Sequence, residues 1–327
     1  MSSRDIRVMP YNEQMEADWN RAVESSKNGT FLFDRRFMDY HRDRFCDCSL
    51  VFLKDKRMLG VLPANLCRAD HTVYSHQGLT YGGLVLQSDT AAADVMQMMD
   101  LACDYFRQHL QATRWVYRPV PYIYHRYPSD EPLYALFRHG ARLTARGLSS
   151  AVLLDSALPL IRLRRRGVRK AEEAGISLSE STDMQDIRRF WEILRSGLQR
   201  RHGVEPVHTA EEIKLLTDRL PRHIRLVLAR RPDSEIMGGA WLFCTDRVVH
   251  VQYMAASDEG RTIGVNDLLT ATLIRQARTS YSPTAQYYEF GISTEQNGHV
   301  LNEGLIFQKE GFGARGVCYD AWELALH

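Results

Sequence analysis

The feature that most constrains how this chain folds is an internal repeat, in which the second half follows the first at an offset of about 172 residues. In each half a polar turn, at residues 54–57 and 232–235, lies between two apolar strands. A further strand, a helix, an aromatic strand and a short helix that ends in a Gly-Ala corner then follow in the same order. The repeat predicts two domains of one architecture.

Hydrophobic spacing identifies the main helix of each half. Residues 94–110 carry apolar side chains at the helical period, and residues 266–280 do the same, with Pro283 just beyond the second helix. Aromatic strands are expected next, at 114–117 and 286–290. The alternation of strands and helices predicts an α/β fold of the α+β kind, built on mixed sheets.

The domain limits follow from the repeat. We expect a first domain over residues 1–159 and a second over residues 177–327, packed together, with a basic helix at 160–176 between them. That helix carries six cations within residues 162–170. Such a cluster is typical of contact with phosphate groups, of a nucleotide-sugar lipid, a transfer RNA or a membrane, and equally of a solvated helix face.

Composition excludes several classes of protein. The chain has 327 residues, of which 44% are hydrophobic and 25% charged, as in a globular protein. A net charge of +2 gives no global signature of nucleic-acid binding. The six cysteines form no Cys-x-x-Cys pair, and the histidines show no ligand pattern, so neither a metal site nor a disulfide framework is expected. No apolar run of membrane-spanning length and no signal peptide is visible, which predicts a cytoplasmic protein.

One loop has the features of a phosphate-binding site. It follows the strand at 248–256 and leads into the second long helix. A strand, a glycine-containing loop and a helix N-terminus together present backbone N–H groups to an anion, and an arginine adds a bidentate contact. The expected donor-binding residues are Arg261, Thr262, Ile263, Gly264, Val265 and Asn266. The corresponding loop of the first half, at 86–94, has neither glycine nor base, so only the second half is expected to bind a phosphorylated donor.

The order of these elements resembles the GNAT acyltransferase superfamily, and the duplicated layout resembles the FemAB-like proteins and tandem GNAT proteins within it. Two further segments carry the resemblance: the basic stretch RRRGVRKAEEAGI at 164–176 and the stretch LIFQKEGFGA at 305–314. The resemblance covers nearly the full chain and implies two tandem GNAT-like domains. It also implies acyl-CoA as a co-substrate, with no permanently bound cofactor.

The resemblance implies an N-acyltransferase that moves an acyl group from acyl-CoA to an amine by direct attack. Two alternatives stay open. One is aminoacyl transfer from a charged transfer RNA to a cell-wall precursor or peptide, with transfer RNA contacted through residues 162–170. The other is a non-catalytic GNAT-like binding module, because Asn266 replaces the usual small residue of the loop and Asp267 would repel a diphosphate. The acceptor, the acyl group and the oligomeric state are left open.

Candidate catalytic residues lie on the strands where the resemblance places the reaction. Glu289, in an aromatic strand, is the candidate general base, and desolvation is expected to raise its pKa. Tyr253 is the candidate acid for the leaving group, while a lone strand histidine such as His250 is more often structural. The candidate substrate-binding cations are Lys309, Arg164 and Arg165.

Overall fold

The computed structural model describes residues 6–326, and contacts divide them into two compact units. The first unit contains residues up to Leu148 together with Thr294–Val300 and the chain from Cys318. The second contains Ser149–Ser293 and Leu301–Val317. The chain therefore returns to the first unit twice near its C-terminal end, at 294–300 and from residue 318. The predicted limits of 1–159, 160–176 and 177–327 assign both of these segments to the second domain.

The described residues of the first unit form four α-helices and a series of short strands. The helices are α1 (Glu16–Ser25), α2 (Arg35–Met38), α3 (Ala92–Leu110) and α4 (Glu131–Arg138). The strands are β1 (Arg7–Pro10), β2 (Cys46–Asp47), β3 (Leu50–Lys54), β4 (Arg57–Leu62), β5 (Asn65–Cys67), β6 (Thr72–Tyr74), β7 (Val85–Leu86), β8 (Arg114–Tyr117) and the start of β9 (Arg142–Leu153).

The second unit contains longer strands and, among its described residues, six α-helices. Its strands are β10 (Ser177–Glu180), β11 (Ile224–Arg230), β12 (Ile236–Cys244), β13 (Val248–Ala256) and β14 (Tyr287–Ile292). Three strands follow along the chain: β15 (Thr294–Glu295) lies in the first unit, β16 (Val300–Leu301) is divided between the units, and β17 (Arg315–Ala325) belongs to the first unit from Cys318 onward. The helices are α5 (Arg162–Glu173), α6 (Met184–His202), α7 (Ala210–Arg219), α8 (Asp258–Ile263), α9 (Val265–Gln276) and α10 (Glu303–Glu310).

Both units have mixed sheets, as predicted. In the first, β1, β3, β4 and β7 form an antiparallel sheet, and β8 pairs in parallel with β6 and antiparallel with residues 322–325 of β17. In the second, β10 to β13 are antiparallel, β13 and β14 are parallel, and β14 is antiparallel to residues 149–153 of β9.

The predicted helices form the cores of the two units. The buried side chains of α3 are those at its apolar period, from Val95 to Phe106, and they pack under the first unit's strands. Helix α9 buries Leu268, Leu269 and Leu273 in the second core. Burial of these stripes stabilises each unit by roughly 25 cal/mol per Å² of apolar surface. Within residues 6–326 no helix combines the length and the apolar character needed to cross a bilayer.

Candidate active site

Strands β13 and β14 separate at the point where the candidate residues lie. They pair over three positions only, Val248 with Tyr287, Val249 with Tyr288, and His250 with Glu289. Strand β13 then continues to Ala256, while β14 remains paired to β9 and reaches Ile292 opposite Ser149. The β12–β13 register also shifts at Gln252, the mark of a β-bulge. A wedge therefore opens between two neighbouring strands, with His250 and Glu289 at its closed end.

Glu289 is fully buried and bound by three donors. One carboxylate oxygen accepts from the hydroxyl of Ser149 and from the backbone N–H of Gly291 at 2.8 Å. The other contacts Nδ1 of His250. Gly291 has a φ of +83°, a backbone conformation that glycine adopts without strain and that brings its N–H back towards the carboxylate two residues earlier. The turn at Gly291 and the pairing of β14 with its two neighbouring strands thus bring three donors to the carboxylate of Glu289.

The expected desolvation of Glu289 is correct, but the expected direction of its pKa is wrong. Burial by itself raises the pKa of this carboxyl, while His250, Ser149 and the Gly291 N–H together lower it below its usual value. Donors aimed at the ionised form outweigh the loss of water around it. Glu289 is therefore an ionised acceptor that fixes His250 through Nδ1, and Nε2 is the ring nitrogen left to exchange a proton.

Lys309 lies beside this carboxylate. Its side chain is 5% exposed, and Nζ donates to the carbonyls of Gly291 and Ile292, at 2.6 and 3.1 Å, and to the hydroxyl of Ser293 at 2.7 Å. Burial lowers the pKa of Lys309 to about 8, opposed by the charge of Glu289. Lys309, which was predicted to bind substrate, therefore stabilises the end of β14 through these three hydrogen bonds.

Tyr253 has a different set of neighbours. Its hydroxyl lies 3.0 Å from Nδ1 of His208, and its ring stacks on Trp241 with centroids 5.8 Å apart. Burial raises the pKa of Tyr253. It follows the bulge on β13, so it lines the same strand as His250 but is held by its own partners.

The predicted phosphate loop is instead a short helix followed by a sharp turn. Ser257 caps α8, accepting from the N–H of Gly260 at 3.0 Å, and Arg261 binds the carboxylate of Asp258 and the carbonyl of Ala256. Gly264, with a φ of +88°, then starts α9. The segment from Arg261 to Asn266 therefore supplies no extended loop.

Helix α5 covers the N-terminus of α9. A Cβ on Gly264 would lie 2.2 Å from the carbonyl oxygen of Gly167, and a Cβ on Gly167 would overlap the carboxylate of Asp267. Arg164 pairs with Asp267 at 2.7 Å, each side chain being 15% exposed. The predicted substrate contact of Arg164 is therefore replaced by an ion pair inside the protein, whereas Arg165 is exposed.

A cleft lies beside Ser257 and Asp258. It has a volume of about 390 Å³ and is lined by α6 and the start of α8. Its charged lining consists of two ion pairs, Arg189 with Glu192 at 3.2 Å and Arg200 with Asp258 at 2.7 Å. The described residues contain no cluster of three or more side chains able to hold a metal ion.

Sequence reasoning named Glu289 and His250, the latter as more often structural, and missed Ser149. Ser149 lies 140 positions before Glu289 in a segment with no motif, so no local signal marks it. His250 was visible as a polar residue on an apolar strand, and its pairing with Glu289 follows from the parallel register alone.

Comparisons with known proteins identify the fold. Residues 162–297 match the family model described as "Acetyltransferase (GNAT) domain". The chain is similar to the crystal structure of FemX, with a TM-score of 0.70 and 14% identity, over 98% of this chain and 97% of that one. A tandem GNAT protein from the clavulanic acid biosynthesis pathway gives a TM-score of 0.53 and 12% identity, over 99% of each chain. The C-terminal domain of a putative lysylphosphatidylglycerol synthetase from Agrobacterium fabrum gives a TM-score of 0.54 and 13% identity, over 81% of this chain and 80% of that one. No curated protein sequence matches the chain.

Proposed function

We propose that this chain is an acyltransferase of the FemAB-like, tandem GNAT type that transfers an acyl group from acyl-CoA to an amine. Two findings support this proposal: residues 162–297 match the acetyltransferase (GNAT) family model, and the chain has the fold of FemX and of a tandem GNAT protein. The amine attacks the thioester carbonyl directly, with no covalent enzyme intermediate. The observation that carries the proposal is the wedge between β13 and β14, which opens directly beside the buried His250–Glu289 pair.

The wedge suits an extended acyl donor. Beyond His250 the edge of β13 is no longer paired with β14, so its backbone N–H and C=O groups can bind a strand-like ligand. From His250 to Ser257 the chain spans about 23 Å at about 3.3 Å per residue. This is of the same order as the extended arm that joins the thioester of acyl-CoA to its phosphates.

The cleft beside Ser257 suits the far end of that donor. Arg189, Arg200 and Arg261 are the cations at this cleft, and a bound phosphate would take the place of their carboxylate partners Glu192 and Asp258. We assign the donor phosphates to this cleft and not to the segment from Gly264 to Asn266, since α5 covers that segment. The predicted donor site thus moves to the other side of α8.

The reaction needs a base that takes a proton from the attacking amine and an acid that gives a proton to the leaving thiolate. As the C–N bond forms, the amine proton passes to Nε2 of His250, whose ring Glu289 holds through Nδ1. As the C–S bond breaks, the thiolate takes a proton from Tyr253. Glu289 is therefore a positioning residue in this scheme, and His250 takes the role of base expected for it.

A second donor is favoured by one observation. Because Gly167 and the Arg164–Asp267 pair close the N-terminus of α9, the anion site expected for a diphosphate there is filled by the protein itself. A donor without a diphosphate, such as an aminoacyl ester of transfer RNA, has no need of that site.

Calorimetric titration and thermal denaturation with CoA, acetyl-CoA and transfer RNA separate these donors. A ligand at 100 times its Kd stabilises the folded state by about 2.7 kcal/mol. We expect one CoA to bind per chain and Arg200→Ala to weaken it about tenfold or more, as expected for loss of a charge-assisted hydrogen bond. Arg195→Ala is the matched control, because Arg195 also lies on α6 in a 2.7 Å ion pair but outside the cleft. Equal CoA affinity of the two variants would refute the cleft, and binding of aminoacylated transfer RNA alone would establish the second donor.

A further inference from the structure

Helix α5 presents an uncompensated cationic face. Arg162, Arg165, Arg166 and Arg169 recur at the i, i+3, i+4 and i+7 positions and are exposed. Arg169 pairs with Glu173 at 3.0 Å. Within residues 6–326, the other three have no acidic partner at ion-pair distance. A folded protein normally intersperses surface charges of both signs, so three unpaired arginines on one helix face are a concentrated positive potential.

Exposed aliphatic side chains border that face. Leu158, Ile161 and Leu163 are 43%, 37% and 46% exposed. Ile161 also donates its backbone N–H to the carbonyl of Gly311 at 3.0 Å, which places the start of α5 against the end of α10. Phe307, one helical turn before Gly311, is 55% exposed. Apolar side chains thus lie beside the arginines within a single unit.

From this juxtaposition we propose that the exposed face of α5, with Leu158, Leu163 and Phe307, is a docking surface for an anionic lipid bilayer. Arginines attract the surface of a membrane rich in anionic lipids, and the bordering apolar side chains enter the boundary between headgroups and acyl chains. This is peripheral binding and involves no membrane-spanning segment. The proposal is independent of the donor and of the chemistry proposed above.

Two features favour a bilayer over RNA. A surface that binds single-stranded RNA combines cations with several aromatic side chains on which bases stack, whereas α5 has none and Phe307 is the one aromatic residue among those that define this surface. Exposed leucine and isoleucine side chains gain nothing from a phosphate backbone, whereas burial in the acyl region removes their apolar surface from water. The apolar border is therefore the part of the surface that only the lipid explains.

Cosedimentation of the full chain with vesicles tests the proposal. Vesicles of phosphatidylcholine with about 30% phosphatidylglycerol should bind the protein, binding should fall in high salt, and pure phosphatidylcholine should not bind it. The triple variant Arg162→Gln, Arg165→Gln, Arg166→Gln should lose about tenfold or more in affinity. The matched control is Arg7→Gln, Arg138→Gln, Arg222→Gln, which removes the same charge from exposed arginines elsewhere.

A second variant separates lipid from other polyanions. Leu163→Gln should weaken binding to anionic vesicles about threefold or more while leaving binding to heparin unchanged, because only the bilayer accepts the apolar side chain. Circular dichroism checks that each variant is folded. Equal vesicle binding by the two triple variants would overturn the proposal. Tighter binding of transfer RNA than of vesicles, lost in the α5 triple variant and kept in Leu163→Gln, would overturn it too and assign the surface to RNA.

Discussion

Replacing Glu289 by glutamine is the sharpest perturbation of the proposed site, because the two side chains have the same shape. The carboxylate has no exposed surface and accepts from three donors. An amide keeps one accepting oxygen, which can serve Ser149 and Gly291, and then presents its NH2 group to His250. The ring must turn an accepting nitrogen towards that NH2, so the proton moves to Nε2 and the imidazole can no longer take one there.

The expected loss follows from this change of tautomer. Glu289→Gln should lower kcat by roughly 10²–10⁴, the usual contribution of a general base, with little change in Kd for CoA. Loss of the hydrogen bonds to a charged carboxylate should also destabilise the fold by about 1–3 kcal/mol. Because the pKa of Glu289 is lowered, its contribution to stability is present above about pH 4.5 and is lost as the pH falls through the folded-state pKa. The stability gap between wild type and variant should therefore narrow only in acid.

The assay is release of CoA from acetyl-CoA, followed with a thiol reagent across a panel of amines. Glu310→Gln, an exposed change next to Lys309, is the matched control. The double variant Glu289→Gln, His250→Asn should be no slower than the slower single variant, because the two residues act as one unit. Nitrogen chemical shifts of the imidazole report the tautomer directly. Turnover within threefold of wild type, together with an unchanged tautomer, would refute the role of the pair.

Two further predictions concern stability. The pKa of Lys309 falls from 10.5 to about 8 on folding, so between these pH values the unfolded chain holds a proton that the folded chain does not. The free energy of unfolding of wild type should therefore rise by about 3 kcal/mol relative to that of Lys309→Met between pH 8 and 10.5. Parallel pH profiles of the two free energies, measured by urea unfolding, would contradict this. Gly264→Ala should cost about 3 kcal/mol or more, because its Cβ meets the Gly167 carbonyl in addition to the strain of a positive φ. Gly140→Ala, with a φ of +72° and open space around it, carries only the strain, and an equal loss in both variants would disprove the close contact.

Much of the fold was predictable because it depends on local patterns. The apolar period that marks residues 94–110 is the buried face of α3, and Pro283 does lie beyond the helix that it was expected to stop. The loop after β13 was misread although its signal was present. Ser257 followed by Asp258 and Glu259 is an N-cap with an acidic first turn, and it forms α8 where a phosphate loop was expected.

The site itself was only partly predictable because long-range pairing decides it. Desolvation of Glu289 could be inferred from its aromatic strand, but the sign of its pKa depends on donors from β9, β13 and the turn at Gly291. Those donors meet only through sheet register. A shift of one residue in the register of β13 would turn His250 to the other face of the sheet and leave the carboxylate with only Ser149 and the Gly291 N–H of its three donors.

The arginines of helix α5 divide between two sides of the helix, one buried and one exposed. Its buried side carries Arg164 to Asp267, and Gly167 lets the helix approach α9 closely enough for that pair to form. The ion pair neutralises the carboxylate that would repel an anion, but it does so by filling the anion site itself. Arg162, Arg165 and Arg166 lie on the opposite side of the helix, where no carboxylate of the described residues forms an ion pair with them. Under the two proposals above, this outward charge contacts the bilayer, and the donor phosphates lie in the cleft beside Ser257.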